Sequence, residues 1–194
     1  MTQGGVVMGY GTVARFLHWI MALLILAMIP AGLTMVQEDL PRPVQDALFI
    51  FHKNTGSLLL VLVIVRIIWR AFHPAPPLPD HMPVAMRAAA RTTHYGLYLA
   101  VLTMAVSGYS RVRLGGFPIE YLDAMGVPPL LSKSEPAADV AKAIHATVKY
   151  ALISLIALHV AAASYHGLVR RDGVFGRMWP PVAPRQAAGS GSQR

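Results

Sequence analysis

The chain has 194 residues, of which 55% are hydrophobic and only 13% are charged, and its mean hydropathy is +0.48. This composition argues against an ordinary soluble domain, in which about a quarter of the residues are charged. The net charge of +8 would suit nucleic acid, but the basic residues stand at the ends of apolar segments and form no single patch. We therefore expect an integral membrane protein that contacts lipid and binds no nucleic acid.

Four segments come close to or exceed the ~20 apolar residues that a membrane-spanning helix requires. Their bounds are about 14–36, 48–72, 92–110 and 142–169. We expect residues 1–180 to form one all-α integral membrane domain, a four-transmembrane-helix bundle. Residues 181–194 are rich in Pro, Ala, Gly and Ser, which predicts a disordered C-terminal tail.

The start of the chain has some features of a signal peptide, because the first sixteen residues are Gly-rich and carry a single charge, Arg15, and an apolar region follows at 19–29. We interpret it as a retained helix. The segment continues past Pro30 and Gly32 to a membrane-spanning length, and a cleaved peptide has no use for the His18-Trp19 pair.

Proline and polar residues mark the connections between the segments. Residues 37–46 form a polar loop, and residues 73–79 form a stiff connector because proline lacks a backbone donor and constrains its predecessor. Residues 86–91 predict an interfacial turn into the third segment. Residues 111–139 predict an ordered cap with one short amphipathic helix.

The basic residues also predict the orientation in the membrane. With the N-terminus in the cytoplasm, eight arginines fall on the side that the positive-inside rule favours. They are Arg15, Arg66, Arg70, Arg87, Arg91, Arg170, Arg171 and Arg177. Seven of the nine acidic residues then lie outside: Glu38, Asp39, Asp46, Glu120, Asp123, Glu135 and Asp139. Four spans place both termini in the cytoplasm.

The last apolar segment carries histidines, which are costly in lipid unless they have a partner. His145 and His159 are fourteen residues apart, which places them on nearly the same helix face with about 21 Å of rise between them. The chain has no cysteine, so thiolate ligands and iron–sulfur clusters are excluded. Two histidines on one face at opposite depths indicate two ligated metals, which in a membrane suggests two haem irons.

Four antiparallel spans bring His18 to the depth of His159 and His52 to the depth of His145. Two histidines per iron fill both axial positions, which favours electron transfer over oxygen binding. Small residues one helical turn away leave room for a porphyrin, although small residues also allow close helix packing. These residues are Ala14, Ala22, Gly56, Ala141 and Ala163.

Basic residues near each depth are candidates for contacts with haem propionates. On the inner side they are Arg15 and Arg66, and on the outer side Lys53, Arg111 and Lys149. For any one of them, snorkelling toward the headgroups or membrane topology is an equal explanation.

The sequence resembles the bacterial cytochrome b561 family, the four-helix, di-haem b proteins of the inner membrane, over about residues 10–180. The resemblance rests on RFLHW at 15–19, HKNTG at 52–56, VRIIWRAFHPAPPLP at 65–79, THYGLYL at 93–99 and IALHVAAASYH at 156–166, with RRDGVFGRMWP beyond. It implies two haem b groups, an inner one held by His18 and His159 and an outer one held by His52 and His145.

Within this family the chain resembles the superoxide oxidase-like members, which pass electrons from superoxide through two haems to ubiquinone. Cations on the outer face would then attract the anion. They are Arg42, Lys53, Arg111, Arg113, Lys133 and Lys142. The alternative is a cytochrome b membrane-anchor and electron-transfer subunit of a dehydrogenase or hydrogenase, which docks on a redox partner protein. A haem-free transport or scaffolding protein leaves the paired histidines unexplained.

Three further residues are candidates for a quinone site near the inner haem. His166 lies about 10 Å of helix rise beyond His159, toward the cytoplasm, where it can relay a proton. His94 and Arg70 are expected near the same face, with His73 as a weaker candidate. A histidine wetted by lipid headgroups is the alternative for His94 and His166.

Overall fold

The computed structural model describes residues 9–78 and 82–179, and within those ranges the regular structure is helical, with no strand. The helices are α1 (Thr12–Thr34), α2 (Arg42–Phe72), α3 (Val84–Leu114), α4 (Glu120–Ala124) and α5 (Glu135–Ser164). A π-helical turn (Tyr165–Arg170) extends α5, and a 3-10 turn (Phe175–Arg177) follows. The predicted disordered tail and Pro79 lie outside the described residues.

The four long helices alternate in direction along the chain. α1 packs on α2, α2 on α3, and α3 on α5, whereas α5 makes no comparably close approach to α1 or α2 within the described ranges. A slot therefore separates α5 from the α1–α2 pair. We call the end that holds the start of α1 the His18 end, and the opposite end the His52 end. The two described termini meet at the His18 end, where the Tyr10 amide donates to the Arg177 carbonyl at 3.0 Å.

Three helices in the described part of the chain are long and apolar enough to cross a membrane: α1, α2, and α5 with its π-helical turn. Large apolar side chains on their outward faces are exposed, which suits contact with lipid. Examples are Leu23, Leu26, Val61, Ile68, Leu158 and Val160. At 31 residues α3 is about 46 Å long, enough to span a bilayer, but it is less apolar because arginines occupy both of its ends and Thr, His, Gly and Ser interrupt the stretch between them. Its crossing of the membrane remains a prediction.

The buried core lies among the first three long helices. Met21 of α1 packs with Leu59 and Val63 of α2, and apolar residues of α3 such as Val101 and Leu102 cover this cluster. Val63 is fully buried. Because α5 takes no part in this cluster, α1, α2 and α3 form one packed unit that α5 joins through α3.

Several predicted boundaries were wrong because proline was interpreted as a loop residue. α2 begins at Arg42 rather than at residue 48, since Pro41 is its N-cap and a second proline lies in its first turn. Proline fits there because the first turn needs no backbone donor. For the same reason α5 begins at Glu135 rather than at residue 142.

Two other connections also differ from the prediction. α3 begins at Val84 after the N-cap Pro83, so residues 86–91 are helical rather than an interfacial turn, and it continues to Leu114 rather than ending at residue 110. The first and last turns of α3 are polar, so a prediction based on hydropathy alone did not include them in the helix. The cap is correspondingly shorter, residues 115–134, and it contains α4 as its short helix.

Hydrogen bonds join this cap to the first half of α2. Lys53 Nζ donates to Glu120 Oε1 at 2.7 Å and to the Pro118 carbonyl at 2.9 Å. Asn54 Nδ2 donates to Glu120 Oε2 at 2.6 Å, and the Tyr121 amide donates to Asn54 Oδ1 at 2.9 Å. Glu120 therefore joins the cap to two consecutive residues of α2, which holds the cap over the His52 end.

The carboxylate of Glu120 gives this tie a pH dependence. Burial raises its pKa, but the hydrogen bonds from Lys53 and Asn54 outweigh burial and hold the pKa below its ordinary value of 4.5. Its contribution to stability is therefore complete above about pH 4.5 and is lost as the pH falls through the folded-state pKa.

We expect Glu120→Gln to lower the free energy of unfolding at pH 7 by about 1 kcal/mol, a small value because the pair is partly exposed and screened by solvent. Thermal unfolding of the protein in detergent at pH 7 and pH 3.5 measures this, and the difference from wild type should shrink at the lower pH. Glu38→Gln, an exposed residue near the same end, is the control. A deficit that is the same at both pH values would contradict the assignment.

Candidate functional site

Two pairs of histidines face each other across the slot between α5 and the α1–α2 pair. The ring centroids of His18 and His159 are 6.1 Å apart, with 76° between the ring planes. Those of His52 and His145 are 6.2 Å apart, at 80°. A metal ion in line between two imidazole rings makes a bond of about 2 Å to one nitrogen of each ring. These two bonds, together with the distance from each nitrogen to the centre of its ring, place the ring centroids about 6 Å apart. Each pair has room for one metal ion between its rings.

Helix α3 positions His145. Its Nδ1 lies 3.0 Å from the Met104 carbonyl and 3.3 Å from Ser107 Oγ. A ring that donates Nδ1–H to a carbonyl presents Nε2 as its metal-binding nitrogen. The ring also lies against Gly108, where an added Cβ would be 3.0 Å from Cε1 of His145 and 3.2 Å from Nδ1.

Helix α1 holds His52 in a similar way. An added Cβ at Gly32 would lie 2.7 Å from Cε1 of His52, so only glycine allows the ring its position. Nδ1 of His52 is buried and lacks a hydrogen bond of standard geometry within the described residues, although the backbone of Met28 lies close enough to interact with it. Gly32 of α1 and Gly108 of α3 therefore lie against the ring edges of His52 and His145.

The residues present fit a haem group at each pair. Within the described ranges, no group of three or more His, Asp or Glu side chains is placed to hold a metal ion by itself. A porphyrin supplies four equatorial nitrogens and needs only two axial ligands from the protein, which each pair offers. The separation of α5 from α1 and α2 leaves a slot for the plane of the ring system.

His94 lies beside the pair at the His18 end, with its ring centroid 5.5 Å from that of His159 and 66° between the planes. Arg66, Arg70 and Arg177 are close enough to interact with it electrostatically. Among the described residues, His166 makes no hydrogen bond or ring contact with His94 or Arg70, so their convergence on one quinone pocket stays a prediction.

The two predicted propionate contacts at the His18 end differ in their surroundings. Arg66 is buried, donates to the Ala14 carbonyl at 2.9 Å, and interacts electrostatically with both His18 and His159. Arg15 donates to the carbonyls of Tyr10 at 2.7 Å and Trp179 at 3.1 Å. Arg15 therefore joins the two described ends of the chain.

Arg177 was not predicted as a site residue, although it lies in the RRDGVFGRMWP stretch. It is 4% exposed, its Nη2 donates to the Pro76 carbonyl at 2.5 Å, and its Nε has no hydrogen-bond partner in the described residues. The guanidinium groups of Arg70 and Arg177 lie 5.3 and 5.8 Å from the ring centre of Tyr10. This end of the bundle is therefore strongly cationic.

The basic residues at the His52 end divide into two groups. Arg111 interacts electrostatically with both His52 and His145, and Lys149 interacts with His145 while lying 4.8 Å from the ring centre of Tyr150. Lys53 is instead directed to Glu120 in the cap. Arg111 and Lys149 are thus the predicted propionate contacts that stand next to the histidines.

Most of the cations predicted to attract an anion at this end are paired with acids. The ion pairs are Arg42–Asp46 at 3.7 Å, Lys53–Glu120 at 2.7 Å, Arg113–Asp123 at 2.6 Å and Lys133–Glu135 at 3.6 Å. Arg111 and Lys142 make no ion pair within the described ranges. The field that would attract an anion is therefore weaker than the number of cations suggests, and of the six predicted cations Arg111 is the one that interacts electrostatically with both histidines of the pair.

His166 lies in the π-helical turn and is buried. Its Nδ1 is 2.7 Å from Oδ2 of Asp172, and Arg170 Nε donates to the same oxygen at 3.1 Å. Burial raises the pKa of Asp172, but the hydrogen bonds with His166 and the Val174 amide outweigh it, so the pKa is lowered and the carboxylate persists at neutral pH. Asp172 was not predicted as a site residue.

The chain is similar to known proteins over most of its length. The family model described as "Prokaryotic cytochrome b561" matches residues 9–181. "Cytochrome b561 homolog 2" of Escherichia coli (strain K12) is 31% identical over 170 residues, which covers 87% of this chain and 90% of that protein. "Cytochrome b561 homolog 1" of the same organism is 27% identical over 167 residues, covering 85% and 93%. The chain belongs to the prokaryotic cytochrome b561 family, whose members are membrane electron-transfer proteins that bind haem b.

Proposed function

We propose that this protein is a transmembrane di-haem b protein that carries electrons from superoxide to ubiquinone. The observation that carries the proposal is the matching geometry of the two histidine pairs, with ring centroids 6.1 and 6.2 Å apart and ring planes at 76° and 80°. In this proposal α1, α2, α3 and α5 cross a bacterial inner membrane, with both termini in the cytoplasm.

His18 and His159 hold the inner haem in this arrangement, and His52 and His145 hold the outer one. A haem held by two histidines would supply reversible one-electron transfer at each pair. Positive charge for the propionates comes from Arg66 on the inner side and from Arg111 and Lys149 on the outer side. The positions of these residues beside the histidines support this role. The spacing of fourteen residues from His145 to His159 sets the two levels about 21 Å apart along α5.

Superoxide is the proposed electron donor on the outer side. Two superoxide ions lose one electron each and become two molecules of oxygen, while one ubiquinone takes up the two electrons and two protons and becomes ubiquinol. Arg111 supports the approach of an anion because it acts on both histidines of the outer pair and makes no ion pair among the described residues.

A second candidate is a membrane-anchor and electron-transfer subunit of a dehydrogenase or hydrogenase. The cap favours it, because it exposes a group of large apolar side chains beside the outer pair, as a docking surface for a redox partner protein would. They are Phe117, Tyr121, Met125 and Leu130, between 62% and 77% exposed. The pairing of most outer cations with acids also fits this candidate.

The protein purified alone in detergent distinguishes the two candidates. We expect superoxide from xanthine and xanthine oxidase to reduce the haems, and a short-chain ubiquinone to reoxidise them. Haems that superoxide leaves oxidised, while dithionite reduces them, would exclude the first candidate and favour the subunit.

Quinone reduction is proposed at the inner side, with His166 as the proton donor and His94 and Arg70 bordering the inner haem. We expect His166→Ala to keep both haem spectra and fast reduction by superoxide, but to slow reoxidation by ubiquinone about tenfold, because quinol formation consumes protons. Stopped-flow absorbance at the haem bands measures both steps. Unchanged quinone kinetics would move the quinone site to the outer haem.

A further inference from the structure

The turn after α5 brings His166 against a carboxylate that the proposed function does not use. Nδ1 of His166 and Oδ2 of Asp172 are 2.7 Å apart, and the two side chains are 11% and 9% exposed. The other oxygen, Oδ1, accepts from the Val174 amide at 3.3 Å. Nε2 of His166 makes no hydrogen bond with any residue that the structure describes. One ring nitrogen is therefore fixed and the other keeps its capacity to bond a ligand.

The backbone adopts unusual conformations to bring the two side chains together. The π-helical turn that carries His166 ends at Arg170. Its C-cap, Arg171, has a positive φ of 49°, and Gly173 follows with a φ of 80°. The left-handed conformation is strained for a non-glycine residue. π-Helical turns occur often at functional sites. The local strain is offset by the contacts of Asp172 with His166, Arg170 and Val174.

A carboxylate at Nδ1 determines what the imidazole can do. It keeps the hydrogen on Nδ1, so that Nε2 is the nitrogen that exchanges a proton with a ligand. Arg170 Nε donates to the same carboxylate oxygen at 3.1 Å, which favours the ionised carboxylate and opposes its protonation. The proton is therefore held on the imidazole and not on the acid.

We propose that Asp172 is a positioning residue for quinone reduction, which holds His166 so that Nε2 donates protons to a quinone carbonyl oxygen. This inference rests on the function proposed above. For each proton, the Nε2–H bond of the imidazolium breaks and an O–H bond forms on the quinone. The imidazole then takes up another proton from water at the membrane boundary, and Asp172 stays ionised throughout. The two electrons arrive from the haem sites.

The test compares two electron acceptors in the full-length, haem-loaded protein. The haems are reduced with dithionite, the excess is removed, and the protein is mixed either with a short-chain ubiquinone or with ferricyanide, which takes an electron without a proton. We expect Asp172→Asn to lower the maximal rate with ubiquinone about tenfold while its KM for quinone stays within about twofold. The ferricyanide rate should be unchanged.

Three further variants show whether Asp172 acts through His166. Asp46→Asn, which changes an exposed carboxylate at the opposite end, should leave both rates unchanged. Asp172→Glu, which keeps the charge, should retain more of the quinone rate than Asp172→Asn does. In a His166→Ala background, Asp172→Asn should cause no further slowing, because coupled residues are not additive.

The outcomes separate this inference from the function on which it rests. If ubiquinone does not reoxidise the reduced haems of the wild-type protein, both the proposed function and this inference are wrong. Normal quinone reduction by both wild type and Asp172→Asn overturns the inference alone. Equal slowing with both acceptors, or additive slowing in the His166→Ala background, shows a structural role and also overturns it. Should Asp172→Asn lose haem, Asp172→Glu decides, because it keeps the charge but moves the carboxylate relative to Nδ1 of His166 and should slow the quinone rate in part. Slowing with ubiquinone alone supports the positioning role, and unchanged or equally slowed rates overturn it.

Discussion

His159→Ala removes one haem and leaves the other in place, so that the haem content falls from two per chain to one. The expectation follows from the two separate histidine pairs, since His159 faces His18 at 6.1 Å whereas His145 faces His52 at 6.2 Å. The levels are about 21 Å apart along α5, too far for one histidine to serve both. His145→Ala should therefore remove the haem at the His52 end and keep the one at the His18 end.

Haem quantitation by the pyridine haemochrome method, with redox titration of the absorbance bands, identifies which haem each variant keeps. His73→Ala is the control, because His73 is exposed and stacks on Trp69 with 3.7 Å between ring centroids. Loss of both haems in each α5 variant would indicate collapse of the bundle instead of loss of a ligand. A single haem in fully loaded wild type would contradict the two-site arrangement itself.

His94→Ala adds a test of the pairing at the His18 end. His94 is 5.5 Å from His159 by ring centroids, close enough to be a rival for His18 as its partner. The His18–His159 pair resembles the His52–His145 pair more closely in distance and angle, so we expect His94→Ala to keep both haems. Loss of a haem in His94→Ala, with retention in His18→Ala, would reassign the ligand.

The pairing of the histidines was predictable from the sequence because helix geometry is regular. A constant rise per residue and alternating helix directions fix the depth of every residue, so His18 had to meet the level of His159, and His52 that of His145. The structure brings together the same pairs. The ordered cap with its short helix was also predicted, since glycine and proline punctuate that stretch strongly.

The surroundings of the histidines were less predictable, because they depend on which helices become neighbours. Nothing local in the sequence links Gly32 to His52 or Gly108 to His145, and both contacts arise only when α1 packs on α2 and α3 on α5. Asp172 escaped notice for a related reason. It reaches His166 through a π-helical turn and a left-handed residue, and no hydrophobic period indicates either feature.

Gly32→Ala should weaken haem binding at the His52 end alone. An added Cβ would lie 2.7 Å from Cε1 of His52, closer than two carbon atoms can approach, so the ring must move. Metal–ligand distances tolerate only about 0.2 Å of change, and a displaced ring cannot keep its bond to the iron. By analogy with changes to groups that orient metal ligands, we expect haem retention at this end to fall about 10- to 100-fold.

The loss of haem should be larger where the added Cβ lies closer to the histidine ring. Gly108→Ala places its Cβ 3.0 Å from Cε1 of His145, a milder overlap, so its loss of haem should be smaller than that of Gly32→Ala. Gly96→Ala meets Leu155 at an ordinary 3.4 Å and serves as the control. Transfer of haem from each variant to apomyoglobin measures retention at the two ends separately, because only one haem should leave early. Equal retention in all three variants would show that the glycines leave the ligand position unconstrained, and haem binding would then depend on the histidines alone.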